Sequence, residues 1–341
     1  MASTVKTPGG KWTCRIYIGF VDGVRKYKRF TADTKKEAER AAYQYLEEHP
    51  INPSRTDMTV ADAIEKYISA KTNVLSPSTI AGYRKIQRCN FESLRKTRLC
   101  ELTLEQIQIA VNDEAENLSP KSVRNAYGLL SAALILQKYN LPKNAVTMPQ
   151  KEKKEIIVPS DVEMKLICEN ADKYKIAAEV RLAAFMGLRR SEIAAIKKND
   201  INTDDRTLYI NQAMVISESN EYVLKGTKSN SSTRTLSIPD VVFPYLLSIK
   251  NGEYKIASPD KIEKKFIELR DSLGLKRITF HSLRHFFASN LIIMNIPDFY
   301  SVKLMGHSTD AMLKNVYQHI NKDYLKEVNK KMNDFYTKKS N

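Results

Sequence analysis

The sequence predicts an α+β protein of several domains: a small N-terminal β-sheet-plus-helix module, an all-α domain, and a mostly α domain with a small antiparallel β-sheet. Three observations favour this fold class. Two β-rich runs flank an Asp22-Gly23 pair, which is a strong hairpin signal. Several helical segments then begin with Ser-Pro, and strand-like runs return near residue 206 within an otherwise helical region. A chain of 341 residues is long enough for two or three domains.

The first domain, predicted over residues 1–56, is a β-hairpin covered by one helix. Alternate residues of its first strand share an apolar face, as expected for a half-buried strand: Trp12, Cys14, Ile16, Ile18 and Phe20. A helix rich in Ala and Glu follows Thr34. The helix residues that could cover the apolar face are Ala38, Ala41, Ala42 and Tyr45.

The opposite face of the hairpin is basic and aromatic. A two-stranded ribbon fits the major groove of DNA, so we interpret this face as a DNA contact; an ordinary solvated sheet is the alternative. The predicted DNA-binding residues of this module are Arg15, Tyr17, Arg25, Lys26, Lys28 and Arg29.

An all-α domain is predicted over residues 57–145. Thr59 can cap its first helix, and Ser76 and Ser119 each precede a proline, which places serine at the N-cap and proline in the first helical turn. The run LTLEQIQIAVND predicts a fourth helix. Basic side chains recur along these helices, and together they could follow a phosphate backbone, although each alone is typical of a solvated surface. The predicted DNA-binding residues here are Arg84, Arg88, Lys121 and Arg124.

A charged segment with several prolines, predicted as a linker over residues 146–159, leads to a third domain over residues 160–341. Ser160 and Glu163 form a capping box that opens its first helix, and the next helix ends at Gly187. Strand-like runs at 206–217, 220–226 and 233–238 predict a hairpin or small sheet. Helices then continue towards the C terminus.

The net charge of +16 and the pI near 9.5 indicate a polyanionic partner, and nucleic acid is the commonest one. An acidic membrane surface is the competing interpretation, but apolar runs such as Leu129–Leu136 are too short to span a bilayer. With no secretory signal near the start, the sequence predicts a cytoplasmic protein. The cysteines carry no C-x-x-C pairing, which fits reduced thiols: Cys14, Cys89, Cys100 and Cys168.

The stretch from Phe280 to His319 gathers polar groups that a helical core does not need. His281 and Arg284 lie three residues apart and share a helix face, with His285 one turn beyond His281. Two imidazoles beside a guanidinium make a poor metal site, because the fixed cation competes with the metal. We therefore predict that this site binds no metal and no other cofactor. The predicted ligand is an anion, phosphate.

Six residues of the third domain form a set suited to phosphoryl transfer without a metal: Arg189, Lys228, His281, Arg284, His307 and Tyr317. Two arginines can neutralise the nonbridging oxygens of a phosphodiester, and they bind more strongly as charge builds in the transition state. Tyrosine can act as the nucleophile, lysine can protonate the departing oxygen, and histidines can donate or accept protons.

Five motifs of this domain resemble the successive signature boxes of the tyrosine recombinases, or phage-type integrases: GLRRSE (187–192), TKSNSSTR (227–234), HSLRH (281–285), LMGHS (304–308) and YQH (317–319). Their order matches, as does the ten-residue step from His307 to Tyr317. One box alone would be weak evidence, whereas five in order are specific. Met186 departs from the family pattern, which often has threonine there.

The resemblance is strongest over residues 157–337. The helical domain resembles the SAM-like core-binding domain of the family, and the N-terminal module resembles the arm-binding module of integrases from conjugative transposons and Gram-positive phages. The implied partners are double-stranded DNA with core-type and arm-type sites, other copies of the chain in a homotetramer, an excisionase and a host DNA-bending protein.

The resemblance implies that Tyr317 attacks the scissile phosphate, forms a 3′-phosphotyrosyl bond and releases a 5′-hydroxyl. The implied roles of the other residues are a phosphate clamp for Arg189 and Arg284, a general acid for Lys228, and proton transfer and phosphate binding for His281 and His307. Because the ester bond is stored on tyrosine, strands can be rejoined without ATP or metal, which allows a mobile element to be integrated and excised.

Several alternatives remain open on the sequence alone. Lys225 is the rival general acid, and the rival nucleophiles Tyr300, Tyr324 and Tyr336 do not follow the Gly-His box at the right step. Glu192 is expected to orient its neighbours, and His285 to be structural. The competing functions are a nonenzymatic DNA-binding regulator, a type IB topoisomerase and a metal-dependent nuclease; the nuclease lacks a paired-carboxylate cluster near the histidines.

Overall fold

The computed structural model describes residues 3–21, 24–48, 58–151, 156–226, 232–252, 255–306 and residue 332. The chain divides into two compact units, residues 1–152 and 153–341. Its described part is α-rich with small antiparallel sheets, which confirms the predicted fold class at this coarse level. The finer division into domains at residues 56, 145 and 159 stays a prediction.

The N-terminal module is a three-stranded antiparallel sheet with one helix on it. Its elements are β1 (Ser3–Lys6), β2 (Trp12–Val21), β3 (Val24–Ala32) and α1 (Lys35–Glu48), and β2 is the central strand. Cys14, Ile16, Ala38 and Ala42 are buried between sheet and helix, whereas Ala41 is exposed, contrary to our expectation. The sequence does not predict β1, because this strand is short and largely exposed, with no apolar alternation to identify it.

The helical part of the first unit follows the predicted order. It contains α2 (Val60–Lys71), α3 (Pro77–Cys89), α4 (Leu104–Asn117) and α5 (Pro120–Leu136), with a 3₁₀ turn at Glu92–Leu94. Thr59 forms a capping box with Asp62, and the Ser119 hydroxyl accepts a hydrogen bond from the amide of Ser122. Ser76 and Pro77 open α3 as predicted, although the Ser76 side chain bonds to the Ser78 hydroxyl instead of the helix backbone.

The described ends of the predicted linker pack against protein. Val146 is buried in the core of the helical region. Gln108 holds the backbone of Thr147 through both amide atoms, at 2.7 and 3.2 Å, and Arg124 donates to the carbonyl of Pro149 at 2.6 Å. Ile157 packs against the core of the second unit.

The second unit begins with helices, continues with two small sheets and ends its described part with helices. Its elements are α6 (Asp161–Asn170), α7 (Ala177–Met186), α8 (Arg190–Ile193), β4 (Ile201–Asn202), β5 (Thr207–Ile210), β6 (Gln212–Ile216), β7 (Tyr222–Gly226), β8 (Arg234–Ser237), α9 (Phe243–Asn251), α10 (Pro259–Ser272), α11 (Phe280–Ile293) and α12 (Asp298–Met305). One antiparallel sheet has the order β4-β5-β8, and β6 pairs with β7 in a second. The predicted strand over residues 206–217 is therefore two strands of different sheets, and α9 was not predicted.

The core of the second unit surrounds α7, whose residues are buried on every side. A helix that is buried all round belongs in the centre of a domain, and the two charged residues of α7, Glu179 and Arg181, are buried with it. It packs against α11, where Phe185 meets Phe286 edge to face. This packing brings the end of α7 next to the histidine- and arginine-bearing face of α11. Across the described residues, no helix combines the length and hydropathy needed to cross a membrane.

Candidate active site

The GLRRSE motif forms a sharp turn between α7 and α8. Gly187 ends α7 in the left-handed conformation, with φ of 66°, and a Cβ atom there would collide with the ring of Phe287. Glycine alone tolerates both constraints without strain. Arg189 follows in extended conformation as the N-cap residue of α8. The turn therefore places Arg189 between the end of α7 and the start of α8.

Arg189 is held by protein contacts yet remains accessible. Its Nη1 atom donates to Glu192 Oε1 at 2.6 Å, and its Nη2 atom donates to the carbonyl oxygen of Gly306 at 2.9 Å. The side chain keeps 33% of its surface exposed. A guanidinium has five N–H donors, so Arg189 can hold these two acceptors and still bind a phosphate oxygen.

Glu192 is the buried anion of the site. Its two oxygens accept hydrogen bonds from Arg234 at 3.0 and 3.4 Å, and both side chains are only 3% exposed. Burial alone would raise the pKa of Glu192, but the charges of Arg234 and Arg189 and their hydrogen bonds hold it below its usual value. Glu192 is therefore ionised at neutral pH and orients its neighbours, which agrees with the sequence-based expectation.

Arg284 lies on α11 and is 1% exposed. Its guanidinium donates to the carbonyl of Gly187, and at 2.5 Å to the carbonyl of Met305. Burial, followed by the charge of Arg189, lowers the pKa of Arg284 to about 9. At neutral pH the group still carries its proton, so two cations of the predicted clamp meet at one place.

Three arginines converge on the last turn of α12. Consecutive carbonyls of residues 304, 305 and 306 accept from Arg234, Arg284 and Arg189 respectively. These carbonyls have no partner within a helix that ends here, and they carry the negative end of the helix dipole, so guanidinium groups satisfy them and stabilise the charge. Gly306 ends α12 in the left-handed conformation, with φ of 61°. The chain is thus fixed up to the residue that immediately precedes His307.

His281 and His285 lie one turn apart on α11 and contact edge to face, with ring centres 4.6 Å apart. His281 is exposed. Partial removal of the imidazole from water lowers the pKa of His281 below its usual value, and the charges of Arg284 and Arg189 lower it further. The ring is therefore mainly neutral at pH 7 and can accept a proton. His285 is partly buried behind it, in keeping with a structural role.

The structure thus brings together Arg189, His281 and Arg284 of the six predicted site residues. Lys228, His307 and Tyr317 lie outside the described residues. The rival cation Lys225 sits in β7, half-buried and opposite Ala213.

Sequence reasoning missed Arg234, which is central to this arrangement. A signal for it existed in the strand pattern of β8, where residues 234 and 236 are buried and residues 235 and 237 are exposed. An arginine at an inward position of a strand requires a buried anionic partner.

The predicted DNA-binding residues of the N-terminal module divide between two faces. Arg15 pairs with Arg29 and Tyr17 with Tyr27 on the outer face, where the Arg15 guanidinium lies 3.8 Å from the centre of the Tyr27 ring. Lys28 pairs instead with Ile16 and points to the helix side, with its Nζ atom 3.9 Å from the ring centre of Tyr45.

Lys26 and Arg25 are two further residues of the module that the sequence predicts to bind DNA. Lys26 shares the face of Lys28 by strand alternation, although it is exposed. The side chain of Arg25 lies outside the described side chains.

The basic residues predicted in the helical domain also differ from one another. Arg84 forms an ion pair with Glu65, and this hydrogen bond is the largest cause that lowers the pKa of Glu65 to about 2. Arg124 donates to the backbone of the linker. Arg88 and Lys121 are exposed. Two of the four cations therefore already have protein partners, and two face solvent.

Comparison with known proteins gives one family and several relatives. Residues 157–323 match the model of the phage integrase family. A tyrosine recombinase XerC-like protein from Caldanaerobacter subterraneus subsp. tengcongensis is 23% identical, over 86% of this chain and 88% of the relative. An integrase from Streptomyces ambofaciens is 22% identical, over 90% of this chain and 89% of the relative.

Solved structures are similar in fold. The integrase of transposon Tn1549, in complex with a circular intermediate DNA, matches with a TM-score of 0.68 and 17% identity, over 81% of this chain and 99% of that chain. A lambda integrase dimer bound to a COC′ core site matches with a TM-score of 0.59 and 18% identity, over 94% of this chain and 95% of that chain. At such identities the likeness shows a shared fold.

Proposed function

The chain belongs to the phage integrase family of tyrosine recombinases through residues 157–323, and from this we propose that it is a site-specific DNA recombinase that integrates and excises a mobile element. The family resemblance inferred from the five motifs is thereby confirmed. The observation that carries the proposal furthest is the meeting of Arg189 and Arg284 at the end of α12, one residue before His307.

The proposed reaction is a transesterification. The hydroxyl of Tyr317 attacks the scissile phosphorus, the bond from phosphorus to the 5′ oxygen breaks, and a 3′-phosphotyrosyl bond forms. Lys228 supplies the proton that the 5′ oxygen takes up, and a histidine, His281 or His307, accepts the proton of the tyrosine. Attack by another 5′-hydroxyl reverses these steps and joins new strands.

The two arginines would act on the charge that builds during this step. A pentavalent transition state carries more negative charge on its nonbridging oxygens than the diester does, so fixed guanidinium groups stabilise it more than the substrate. Arg189 is held beforehand by Glu192 and the carbonyl of Gly306, and Arg284 by the carbonyls of Gly187 and Met305, which avoids the cost of organising both groups during the reaction.

We further propose a division of labour in DNA binding. The exposed outer face of the N-terminal sheet, with Arg15 stacked on Tyr27, suits arm-type sites, and the exposed Arg88 and Lys121 of the helical domain suit the backbone of core-type sites. Strand exchange between two duplexes then requires a homotetramer, and an excisionase and a host DNA-bending protein are proposed as accessory partners.

A covalent-adduct experiment tests the proposed function. The probe is a nicked suicide duplex that carries the direct repeat found in DNA flanking the gene. Because of the nick, the cleaved strand diffuses away and the ester bond cannot be reversed. We expect an SDS-resistant DNA adduct in the presence of EDTA, because the proposed chemistry uses no metal. A protein that binds this duplex without an adduct would be a nonenzymatic regulator, and cleavage abolished by EDTA would indicate a metal-dependent nuclease.

Deleting residues 1–56 should weaken binding to arm-type DNA and leave cleavage of the core-site suicide duplex intact. The basic outer face is lost with the deletion, whereas the buried core of the helical region contains residues from Met58 onwards. Gel-shift titration with arm-site and core-site duplexes measures the two affinities separately.

A matched pair of point variants locates the arm contact on one face. Arg15→Gln changes the outer face and should reduce arm-site affinity by about tenfold, in the range of one lost charged contact. Lys28→Gln changes the helix side and should have a smaller effect. Loss of core cleavage in a well-folded truncation, or a larger effect of Lys28→Gln, would contradict this division of labour.

A further inference from the structure

Arg234, at the start of β8, is a buried arginine outside the six residues of the proposed reaction. Each of its three guanidinium nitrogens has an acceptor. Nε donates to the carbonyl of Leu304 at 2.9 Å, Nη1 to that of Ser232 at 3.1 Å and to Glu192 Oε1 at 3.4 Å, and Nη2 to Glu192 Oε2 at 3.0 Å. A planar group with donors in fixed directions can join several acceptors in one arrangement, which an ammonium cannot do.

The acceptors of Arg234 belong to three separate segments that carry the proposed catalytic residues. Glu192 holds Arg189 directly. Ser232 is the first described residue after the segment that contains Lys228, and Leu304 lies three positions before His307. One side chain therefore joins three of the five motifs: GLRRSE through Glu192, TKSNSSTR through Ser232 and LMGHS through Leu304.

The backbone at Gly306 is shaped around the same guanidinium. A Cβ atom at Gly306 would lie 2.6 Å from Arg234 Nη1, closer than such atoms approach each other. The carbonyl of Gly306 in turn accepts from Arg189. The close approach of Arg234 to the helix end thus requires the glycine of the LMGHS motif, and it places the acceptor that Arg189 uses.

Arg234 also helps to keep the buried Glu192 carboxylate ionised. Glu192 is faced by Arg234 from β8, by Arg189 from the start of α8 and by Arg284 from α11. Arg234 makes the largest electrostatic contribution to keeping the buried carboxylate ionised. Without it, the effect of burial would dominate, and Glu192 would take up a proton at a higher pH than in the wild-type protein.

We propose that Arg234 is a positioning residue for strand cleavage, whose guanidinium holds Glu192, Ser232 and Leu304 together and thereby fixes Arg189 in the orientation that binds the phosphate. This inference rests on the proposed recombinase function. Arg234 acts through its neighbours and does not touch the scissile phosphate.

The test is single-turnover cleavage of the suicide duplex by Arg234→Gln across pH 5.5 to 8. We expect cleavage about a hundredfold slower at neutral pH, the order of loss caused by a misplacement of about 1 Å, with duplex affinity within about threefold of wild type. The rate should also fall on the acid side at a higher pH than in wild type. The acid limb should shift in this direction because Glu192 takes up a proton more readily without Arg234, and a neutral Glu192 no longer holds Arg189.

Two variants complete the experiment. Arg206→Gln removes an exposed arginine whose partner is Asp240, in the same sheet region, and should cleave at the wild-type rate because exposed ion pairs contribute little. Arg234→Lys keeps a cation beside Glu192 but loses the planar set of hydrogen-bond donors. It should retain the wild-type acid limb while cleaving more slowly, and it replaces Arg234→Gln if circular dichroism shows that variant to be unfolded.

The outcomes separate the two proposals. Absence of an adduct with the wild-type protein would overturn the proposed function and this inference with it. A wild-type adduct, together with a folded Arg234→Gln or Arg234→Lys protein that has the wild-type rate and pH profile, would overturn this inference alone.

Discussion

We expect Tyr317→Phe to abolish the SDS-resistant DNA adduct while the variant still folds and binds the core-site duplex. The substitution removes one oxygen atom, and that oxygen is the proposed nucleophile. Other groups of the site can polarise the phosphate but cannot form the stored ester, so cleavage should fall by more than about 10⁴-fold, as when the nucleophile of a hydrolase is removed. Denaturing gels of a labelled suicide duplex measure the adduct, and gel shifts measure binding.

Tyr300→Phe is the matched control for this prediction. Tyr300 lies on α12, close in sequence to the LMGHS motif, and its side chain is exposed, so it is the described alternative nucleophile nearest to that motif. We expect this variant to form the adduct at the wild-type rate. An adduct that persists in Tyr317→Phe and disappears in Tyr300→Phe would show that the nucleophile has been assigned to the wrong tyrosine.

We expect Arg189→Lys to slow cleavage by about 10²- to 10³-fold, the range seen when one donor to a developing oxyanion is lost. Lysine keeps the positive charge but replaces a planar set of donors by a single ammonium. Arg189 uses separate nitrogens for Glu192 and for the Gly306 carbonyl, so lysine cannot hold both and bind a phosphate oxygen as well. Single-turnover cleavage at saturating protein isolates this effect from binding.

The neighbouring Arg190 provides a closely matched control. Arg190 belongs to the same Arg-Arg pair but turns away to Glu263 on α10, with its Nη1 atom 2.6 Å from Glu263 Oε2. Arg190→Lys should therefore cleave within about threefold of wild type, since a partly exposed ion pair is worth less than about 1 kcal/mol. If both variants cleave at similar rates, Arg189 is not part of the clamp.

Much of the local structure could be predicted because its causes lie within a few residues. Thr59, Ser119 and Ser160 cap helices as expected, since a hydroxyl reaches only the amides of the following turn. Gly187 ends α7 because the left-handed conformation suits glycine. The five motifs that resemble the family were also visible, because each is a short run of particular residue types.

Contacts between distant segments could not be predicted in the same way. The sequence did not indicate that Lys28 lies over the ring of Tyr45 or that Arg84 pairs with Glu65, and the DNA-binding role of both residues stays a prediction. Strand register and helix packing decide these partners, and neither is a local property. The run at 206–217 likewise divides between two sheets at a position that alternation alone does not reveal.

The sequence by itself indicated the family and the reaction class through its five motifs, and it predicted Arg189, His281 and Arg284 as site residues, because these groups suit phosphoryl transfer without a metal. Only the tertiary structure decided how they are held. Arg234 and Glu192 are 42 residues apart, and Arg189 and Gly306 are 117 apart, so their contacts exist only after α7, α8, β8 and α12 have packed together. Burial strengthens the electrostatic attraction between the Glu192 carboxylate and its arginines, because charges removed from water interact through a medium of lower dielectric constant. Buried charges also lack water as a partner, so they must pair with one another.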